Sequence, residues 1–415
     1  MTSFFLQNFG CRVNQAEAFD WAEEFQRRGL ELDPDPTRSD LVVVNSCTLT
    51  GRADRDVRKF LAKVGRENPR ARLIVTGCLV DRARTELEGL PGATLLANRD
   101  KARLTEIVLG PEGSAAGTLP LSIRFRARGL LKVQDGCDCR CTFCIIPSVR
   151  GGSRSVPPAE AAARLAELEG QGFNEVVLTG IHLNSYGLDL EPRSSLLELL
   201  RTFETACRRV RLRLSSLDPR SLDGPLSEFL TGSSLVRPHF HLSLQHGSDT
   251  VLARMGRKST TDEYRRTLKH LRRQSPDACL GADIITGFPG ESEADFEAAS
   301  DFLRTSDLNY FHVFSYSPRP GTPASAWPRV DPAAVKRRTA SLRSLSQIKS
   351  LEFRRSFLGR PLEAVVIRLA GGTAEVLTAN FIKAYAAAGS QAPGDSVRVI
   401  LDSVEERSAR ARIRD

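Results

Sequence analysis

No apolar run in this 415-residue sequence approaches membrane-spanning length. The opening residues, Met1-Thr2-Ser3-Phe4-Phe5-Leu6-Gln7, carry no charged region, long apolar core or cleavage site, so no secretory signal is expected and the sequence reads as cytoplasmic. A disulfide framework is missing too. The nine cysteines are an odd number spread along a long chain, which points to metal ligation or thiol chemistry in a reducing compartment. Apart from a Gly/Pro/Ser/Ala-rich linker at 110–120, no internal repeat or low-complexity segment is evident. Hydrophobic residues at 41% suffice for real cores, and charged residues at 26% are ordinary. The length suits about two or three domains. A net charge of +9 suits a polyanionic partner such as RNA.

Four of the nine cysteines crowd in one stretch, Gly136-Cys137-Asp138-Cys139-Arg140-Cys141-Thr142-Phe143-Cys144, which contains Cys-x3-Cys-x2-Cys as Cys137, Cys141 and Cys144. Three thiolates on one loop can wrap a soft, sulfur-seeking centre. Four would close an iron–sulfur cluster, whereas three leave one iron open to a small ligand. Cys139, one residue removed from Cys141, reads as a bystander. A zinc knuckle is the alternative, although no His or Cys with zinc-finger spacing follows within the next 30 residues.

Upstream, strand and helix patterns alternate. Phe4–Leu6, Leu41–Val44, Leu73–Val75 and Leu95-Leu96 read as strands. Gln15–Arg28 and Arg52–Glu67 have helical spacing. The pattern implies a parallel sheet with flanking helices. Cys11, Cys47 and Cys78 each follow one of the first three strands, and the carboxyl ends of parallel strands share one edge where ligands bind. The alternative is three small core residues.

Residues 110–120 form a Gly/Pro/Ser/Ala-rich linker, and Arg124-Phe125-Arg126-Ala127-Arg128 leads into the strand Leu130–Val133. Further strands ending in polar turns follow at Glu175–Leu178, Arg211–Leu214, Phe240–Leu244, Leu280–Ile285 and Tyr310–Phe314. These six β/α units suggest a barrel or part of one, with its site at the C-terminal strand ends. Asp331–Arg355 reads as a basic helix with an apolar stripe at Leu342, Leu345, Ile348 and Leu351. Its basic residues are Lys336, Arg337, Arg338, Arg343, Lys349, Arg354 and Arg355, either a solvated face or part of an RNA surface. Short strands with Gly-rich turns then suggest a small β-barrel. In its tail Arg410, Arg412 and Arg414 alternate, which in a strand puts them on one face, where they could meet phosphates.

Taken together, the chain resembles the radical S-adenosylmethionine (SAM) methylthiotransferases over essentially its whole length. Cys11, Cys47 and Cys78, then Cys137, Cys141 and Cys144 with Phe143 before the last cysteine, then the final β-rich segment match that family's three parts in order. Gly10-Cys11-Arg12-Val13-Asn14-Gln15-Ala16-Glu17 and Cys47-Thr48-Leu49-Thr50-Gly51-Arg52-Ala53-Asp54-Arg55 are similar to the branch acting on threonylcarbamoyladenosine in tRNA. Leu178–Leu183 and Ser215–Pro219 are also closer to that branch. Cys139, Ser46 and Leu79-Val80 depart from the usual pattern.

The resemblance implies an α/β chain in three parts: an N-terminal parallel α/β domain over 1–115, a partial (β/α)6 radical SAM barrel over 122–353, and a small C-terminal TRAM-like β-barrel over 354–415. It implies two 4Fe-4S clusters, an auxiliary one on Cys11, Cys47 and Cys78 and a SAM-binding one on Cys137, Cys141 and Cys144. The implied reaction is a radical methylthiolation at C2 of N6-threonylcarbamoyladenosine at position 37 of tRNA, with a second SAM as methyl donor. Phe143, Thr179, Gly180, Ser215, Gln245 and Asp283 are candidates for the SAM pocket; turn chemistry or helix capping is the alternative for those at strand ends. Gly287-Phe288-Pro289-Gly290-Glu291 resembles the family's adenine-side turn, and His182 and His246 receive no role. Implied partners are the tRNA anticodon stem-loop, an electron donor and a sulfur donor, with no membrane. The alternatives are the same reaction on N6-isopentenyladenosine, or a zinc-bearing, non-catalytic RNA-binding protein.

Overall fold

Leu41-Val42-Val43-Val44 is buried on both faces, as a central strand of a parallel sheet must be. In the computed structural model, which describes residues 2–110, 127–222 and 224–414, it forms β3 (Leu41–Ser46). Residues 111–120 of the linker, the segment Arg124–Arg126 and the expected boundaries at 115 and 122 lie outside the described residues. The chain divides into two compact units. One comprises Met1–Ile123, Asp135–Gly152 and Ser317–Ser325; the other comprises Arg124–Gln134, Ser153–Tyr316 and Ala326–Asp415. The cysteine-rich loop thus belongs to the unit of the N-terminal sheet.

In the first unit β1 (Ser3–Asn8), β2 (Glu31–Leu32), β3, β4 (Arg72–Gly77) and β5 (Ala93–Leu96) form one sheet in the order β2-β1-β3-β4-β5, with every pair parallel. Helix α1 (Arg12–Arg27) starts at Arg12, not Gln15, because Cys11 takes the N-cap position in extended backbone. Its Ala18, Trp21, Ala22 and Phe25 pack against Phe4, Leu41 and Val43. Helix α2 (Gly51–Glu67) is capped by Thr50, whose hydroxyl accepts from the Ala53 amide at 3.2 Å. Helix α3 (Cys78–Leu87) follows β4 without a linker, and α4 (Leu104–Leu109) precedes the undescribed stretch. The helix α5 (Ile146–Arg150) follows Cys144.

In the second unit the six expected strands are present, but they form two separate ladders. Strands β6 (Gly129–Lys132), β9 (Glu175–Thr179) and β10 (Arg211–Leu214) make one; β11 (His239–Gln245), β12 (Cys279–Thr286) and β13 (Tyr310–Ser315) make the other. (β7, Gln134–Asp135, and β8, Arg154–Ser155, are two-residue strands.) Among the described residues, isolated bridges, Leu212 to Val236 and Leu217 to Leu242, continue the pairing from one ladder to the next. Strand β10 is four residues long, and Pro238 removes a donor just before β11. Helices α6 (Pro158–Gly170), α7 (Leu196–Ala206), α8 (Pro225–Gly232), α9 (Asp249–Arg254), α10 (Thr261–Gln274) and α11 (Glu293–Thr305) occupy the connections.

Strands β14 (Pro361–Ala370), β15 (Thr373–Thr378), β16 (Lys383–Ala387), β17 (Ser396–Val404) and β18 (Ala409–Arg414) close a barrel in the order β14-β15-β16-β18-β17. In β18 Ala409 and Ala411 are buried, while Arg410, Arg412 and Arg414 are exposed. The alternation holds. No helix among the described residues is long and apolar enough to cross a membrane.

Helix α12 (Pro332–Arg355) corrects the expected apolar stripe. Leu342 is buried, but Ile348 is 52% exposed, and the buried face carries Arg338, Thr339, Ser346 and Arg354. The reason is hydrogen bonding: Ser346 Oγ accepts from the Phe311 amide at 2.8 Å and donates to the Phe311 carbonyl at 2.7 Å. Several of the seven basic residues are also used internally. Arg338 pairs with Glu291 at 3.0 Å and Glu293 at 2.8 Å. Arg354 donates to the carbonyls of Glu405, Glu406 and Ser408. Lys349 and Arg343 donate to backbone carbonyls as well.

Candidate functional site

Strand register alone carries three cysteines to one sheet edge. Asn8 of β1 pairs with Asn45 of β3, and Ser46 of β3 pairs with Gly77 of β4. Cys47 and Cys78 are the next residues after those strands, and Cys11 follows β1 by a short turn. Two glycines make the approach possible. Gly10 has φ +111°, and a Cβ there would lie 2.5 Å from Cys47 Cβ and 2.7 Å from its Sγ. Gly77 has φ +100°, and its Cβ would lie 2.2 Å from the Ser46 carbonyl oxygen. Ser46, a departure from the family pattern, ties the two turns together: its Oγ accepts from the Leu79 amide at 3.2 Å.

Cys47 and Cys78 are buried, and Cys11 is half-buried. Burial pushes the Cys47 thiol up to about 12, against the Leu49 amide that bonds its sulfur; Cys11 and Cys78 push it up further. Burial also raises the Cys11 thiol, opposed by the Arg150 guanidinium and Asn14. Three sulfurs brought to one sheet edge are soft donors of the kind a thiolate-ligated metal centre takes. At the same edge Asn45 Oδ1 and Thr76 Oγ1 are buried without a hydrogen-bond partner. The donor set therefore fits an iron–sulfur cluster, a soft, thiolate-ligated group. Among the described residues no three of His, Cys, Asp and Glu are already gathered around a single-ion position.

Cys137, Cys141 and Cys144 lie on an irregular loop held at both ends. The Cys137 amide donates to the Gly151 carbonyl at 3.0 Å, and the Cys144 amide to the Cys141 carbonyl at 3.1 Å. The Ala324 amide donates to the Thr142 carbonyl at 2.9 Å. Phe143 is half-buried on this loop. Cys139 touches a proposed ligand: its amide donates to Cys137 Sγ at 3.4 Å, and its thiol bond to Cys137 is the largest influence raising that thiol, ahead of burial. The two triads share one unit, and Cys78 packs against Ile145 and Val149, just beyond Cys144.

In the second unit, Thr179, Gly180 and Ser215 meet at adjacent strand ends. The Gly180 amide donates to Ser215 Oγ at 3.3 Å, and the buried Thr179 hydroxyl has no partner. Gln245 ends β11 in the left-handed region at φ 78°, a strained position of the kind concentrated at ligand sites. Asp283 lies inside β12, not at its end, and its Oδ2 is 3.1 Å from His241 Nε2. Glu291 closes its own turn by accepting from the Gly287 and Phe288 amides. His246 sits 3.7 Å from Glu291 and His182 3.6 Å from Asp218, so both have carboxylate partners within the fold.

Cysteine spacing does not point to the polar residues beneath the sheet-edge thiols. Asn14 and Glu17, three apart on the buried face of α1, meet Arg150. The signal was present in Asn14-Gln15-Ala16-Glu17: two polar residues on the face that should be apolar.

Residues 131–303 match the radical SAM superfamily model, and residues 3–97 match an uncharacterised family, UPF0004. The radical S-adenosylmethionine methyltransferase TsrM from Kitasatospora setae shares the fold, with a TM-score of 0.56 at 16% identity over 78% of this chain and 75% of that one. The fold and the cysteine loop thus define a radical SAM protein. A Thermotoga maritima threonylcarbamoyladenosine tRNA methylthiotransferase, MtaB, is 33% identical over 86% of this chain and 84% of its own length. The Bacillus subtilis MtaB is 30% identical over 88% and 85%. A tRNA-2-methylthio-N(6)-dimethylallyladenosine synthase from Parafrankia is 33% identical over 88% and 78%. The chain belongs to the radical SAM tRNA methylthiotransferase family.

Proposed function

We propose that this protein converts N6-threonylcarbamoyladenosine at position 37 of tRNA to its 2-methylthio derivative, with a second SAM as methyl donor. The observation that carries the reading is the pair of cysteine triads in one compact unit, one at a parallel-sheet edge and one on the adjoining loop. The MtaB relatives and the Gly10–Glu17 and Cys47–Arg55 motifs favour the threonylcarbamoyl substrate. Cys137, Cys141 and Cys144 would hold the SAM-binding 4Fe-4S cluster, and Cys11, Cys47 and Cys78 the auxiliary one. When bound, these groups supply radical cleavage of an unactivated C–H bond and the sulfur to replace it, chemistry beyond acid–base side chains.

The chain's own residues position and enclose. Phe143 would flank the first cluster. The free Thr179 hydroxyl, Gly180, Ser215 and Gln245 would bind SAM at the strand ends, with Asp283 deeper in β12. The division at 1–115, 122–353 and 354–415 assigns the sulfur-bearing, radical-generating and RNA-gripping roles in that order. Arg410, Arg412 and Arg414 would meet the anticodon stem-loop phosphates. The reaction also needs an electron donor and a sulfur donor.

Mass spectrometry of tRNA nucleosides from a deletion strain tests the substrate. Loss of 2-methylthio-N6-threonylcarbamoyladenosine is expected. The Parafrankia relative supports a second reading, the same reaction on N6-isopentenyladenosine. Selective loss of the methylthio-isopentenyl nucleoside would establish that reading instead.

A further inference from the structure

Four charged groups and two asparagines lie beneath the sheet-edge thiols, outside the proposed ligand set. Arg150 ends α5 and is 3% exposed; Glu17, Asn14 and Lys101 are equally buried. Arg150 Nη1 donates to Glu17 Oε1 at 3.1 Å and to Asp135 Oδ1 at 2.7 Å. Its Nη2 donates to Asn14 Oδ1 and, at 3.4 Å, to Glu17 Oε2. Lys101 Nζ reaches Glu17 Oε2 at 2.7 Å. Asn14 Nδ2 donates to the carbonyls of Phe9 at 3.0 Å and Ser46 at 2.9 Å, the turns that carry Cys11 and Cys47. Cys11 Sγ lies 3.6 Å from Asn14 Oδ1. Asn98 Nδ2 holds the Val149 carbonyl at 2.7 Å, next to Arg150.

One guanidinium, carried by the helix after Cys144, therefore touches the residue before Gly136 and the asparagine that braces the sheet-edge turns. It is also the cation whose charge acts on Cys11 and Cys78 together. A guanidinium does not titrate in proteins, so this charge is permanent. Burial in a low-dielectric interior makes it felt over the distance to the thiols. Resting on the cluster reading above, we propose that Arg150 is a positioning residue for the Cys11, Cys47 and Cys78 site. It locks the turns of that site to the 137–144 loop, and its charge, balanced by Glu17, raises the reduction potential of the anionic cluster held there. Net charge and hydrogen bonding around a cluster are the levers that set its potential.

The test uses the full chain with Cys137, Cys141 and Cys144 all changed to Ala, so that iron reports the sheet-edge site alone. Rebuilt without oxygen from ferrous iron and sulfide, this parent is expected to hold about four irons per chain. Arg150→Gln removes a positive charge and is expected to move the cluster's midpoint potential in the negative direction. Glu17→Gln removes the counter-charge and is expected to move it in the positive direction. Arg150→Lys should stay nearer the parent than Arg150→Gln does. An Arg150→Gln cluster at the parent's potential overturns the proposal. So does a fall in iron occupancy in both variants with no opposed shifts, which marks a purely structural role. If circular dichroism shows that Arg150→Gln does not fold, the sign of the Glu17→Gln shift decides: positive supports, zero or negative overturns. A parent that takes up no iron refutes the cluster reading itself and the proposal with it.

Discussion

At the level of single residues, Cys139 and Gly10 make opposite predictions. Cys139 makes two contacts to Cys137. Its amide bonds Cys137 Sγ, and this contact survives removal of the side chain; its thiol contact exists only as long as Cys137 is a protonated thiol rather than a metal-bound thiolate. Cys139→Ala is expected to keep reductive SAM cleavage, whereas Cys141→Ala abolishes it; loss in both would put Cys139 among the ligands. Gly10→Ala should fail although it changes one methyl group. The new Cβ would meet Cys47 Cβ at 2.5 Å in backbone that disfavours side chains. A cost of roughly 1–3 kcal/mol is expected in denaturant unfolding, together with less iron at the sheet edge. Of these two residues the sequence displays Cys139 plainly. The need for glycine at 10 depends on where Cys47 ends up, which no local pattern encodes.

Among elements, one carboxylate at the start of β9 gathers the arginines that reach the C-terminal barrel. Glu175, 1% exposed, accepts from Arg213 at 2.9 and 3.1 Å, from Arg237 at 3.2 Å and from Arg128 at 3.3 Å. Arg213 also donates to the carbonyls of Thr378 and Ala379, and Arg237 to Glu363, so the same arginines grip the barrel. Burial pushes the Glu175 carboxyl up, but Arg213, Arg128 and Arg237 together hold it below its ordinary value. A depressed carboxylate adds stability that is complete above its unfolded pKa of about 4.3 and is lost as pH falls through its folded value. Glu175→Gln is expected to lose roughly 3–5 kcal/mol at neutral pH, because the buried Arg213 loses its carboxylate partner and Arg128 and Arg237 lose a share of theirs. Urea midpoints of the two proteins should converge as the pH is lowered below that range. Pattern reading gave β9 its place, but Glu175 looked like an ordinary first residue of a strand. Its arginine partners come from other strands, and sequence periodicity does not say which strands are neighbours. The same limit misled the reading of α12, where serine and threonine hydroxyls bonded to β12 and β13 replace the expected leucine stripe.

For the molecule as a whole, the predictions concern metal load and RNA. Protein purified without oxygen is expected to be brown and to bind about eight irons if both clusters are 4Fe-4S. A colourless, zinc-loaded protein would return the assignment to a non-catalytic RNA-binding module. Binding to the anticodon stem-loop should weaken steeply with salt. Arg410 and Arg412 have carboxylate partners in Glu405 and Asp402; such exposed pairs are worth little and a phosphate can displace the partner. Changing Arg410, Arg412 and Arg414 together to Ala should weaken tRNA binding and flatten its salt dependence by about one unit of slope per lost phosphate contact. An unchanged slope in filter-binding assays would remove β18 from the RNA surface.

The sequence by itself determined the class and marked the candidate ligands. Cys-x3-Cys-x2-Cys is local, so Cys137, Cys141 and Cys144 are close whatever the rest of the chain does. The parallel strands were legible because a strand buried on both faces must be apolar throughout, as Leu41–Val44 is. The tertiary structure decided what holds these pieces in place. Arg150 and Glu17 are 133 residues apart; Glu17 on the apolar face of its helix signals a buried partner, but nothing in the sequence says that the partner is Arg150. A buried ion pair forms wherever packing happens to bring two charges out of water together, so only the folded chain reveals the partner of each.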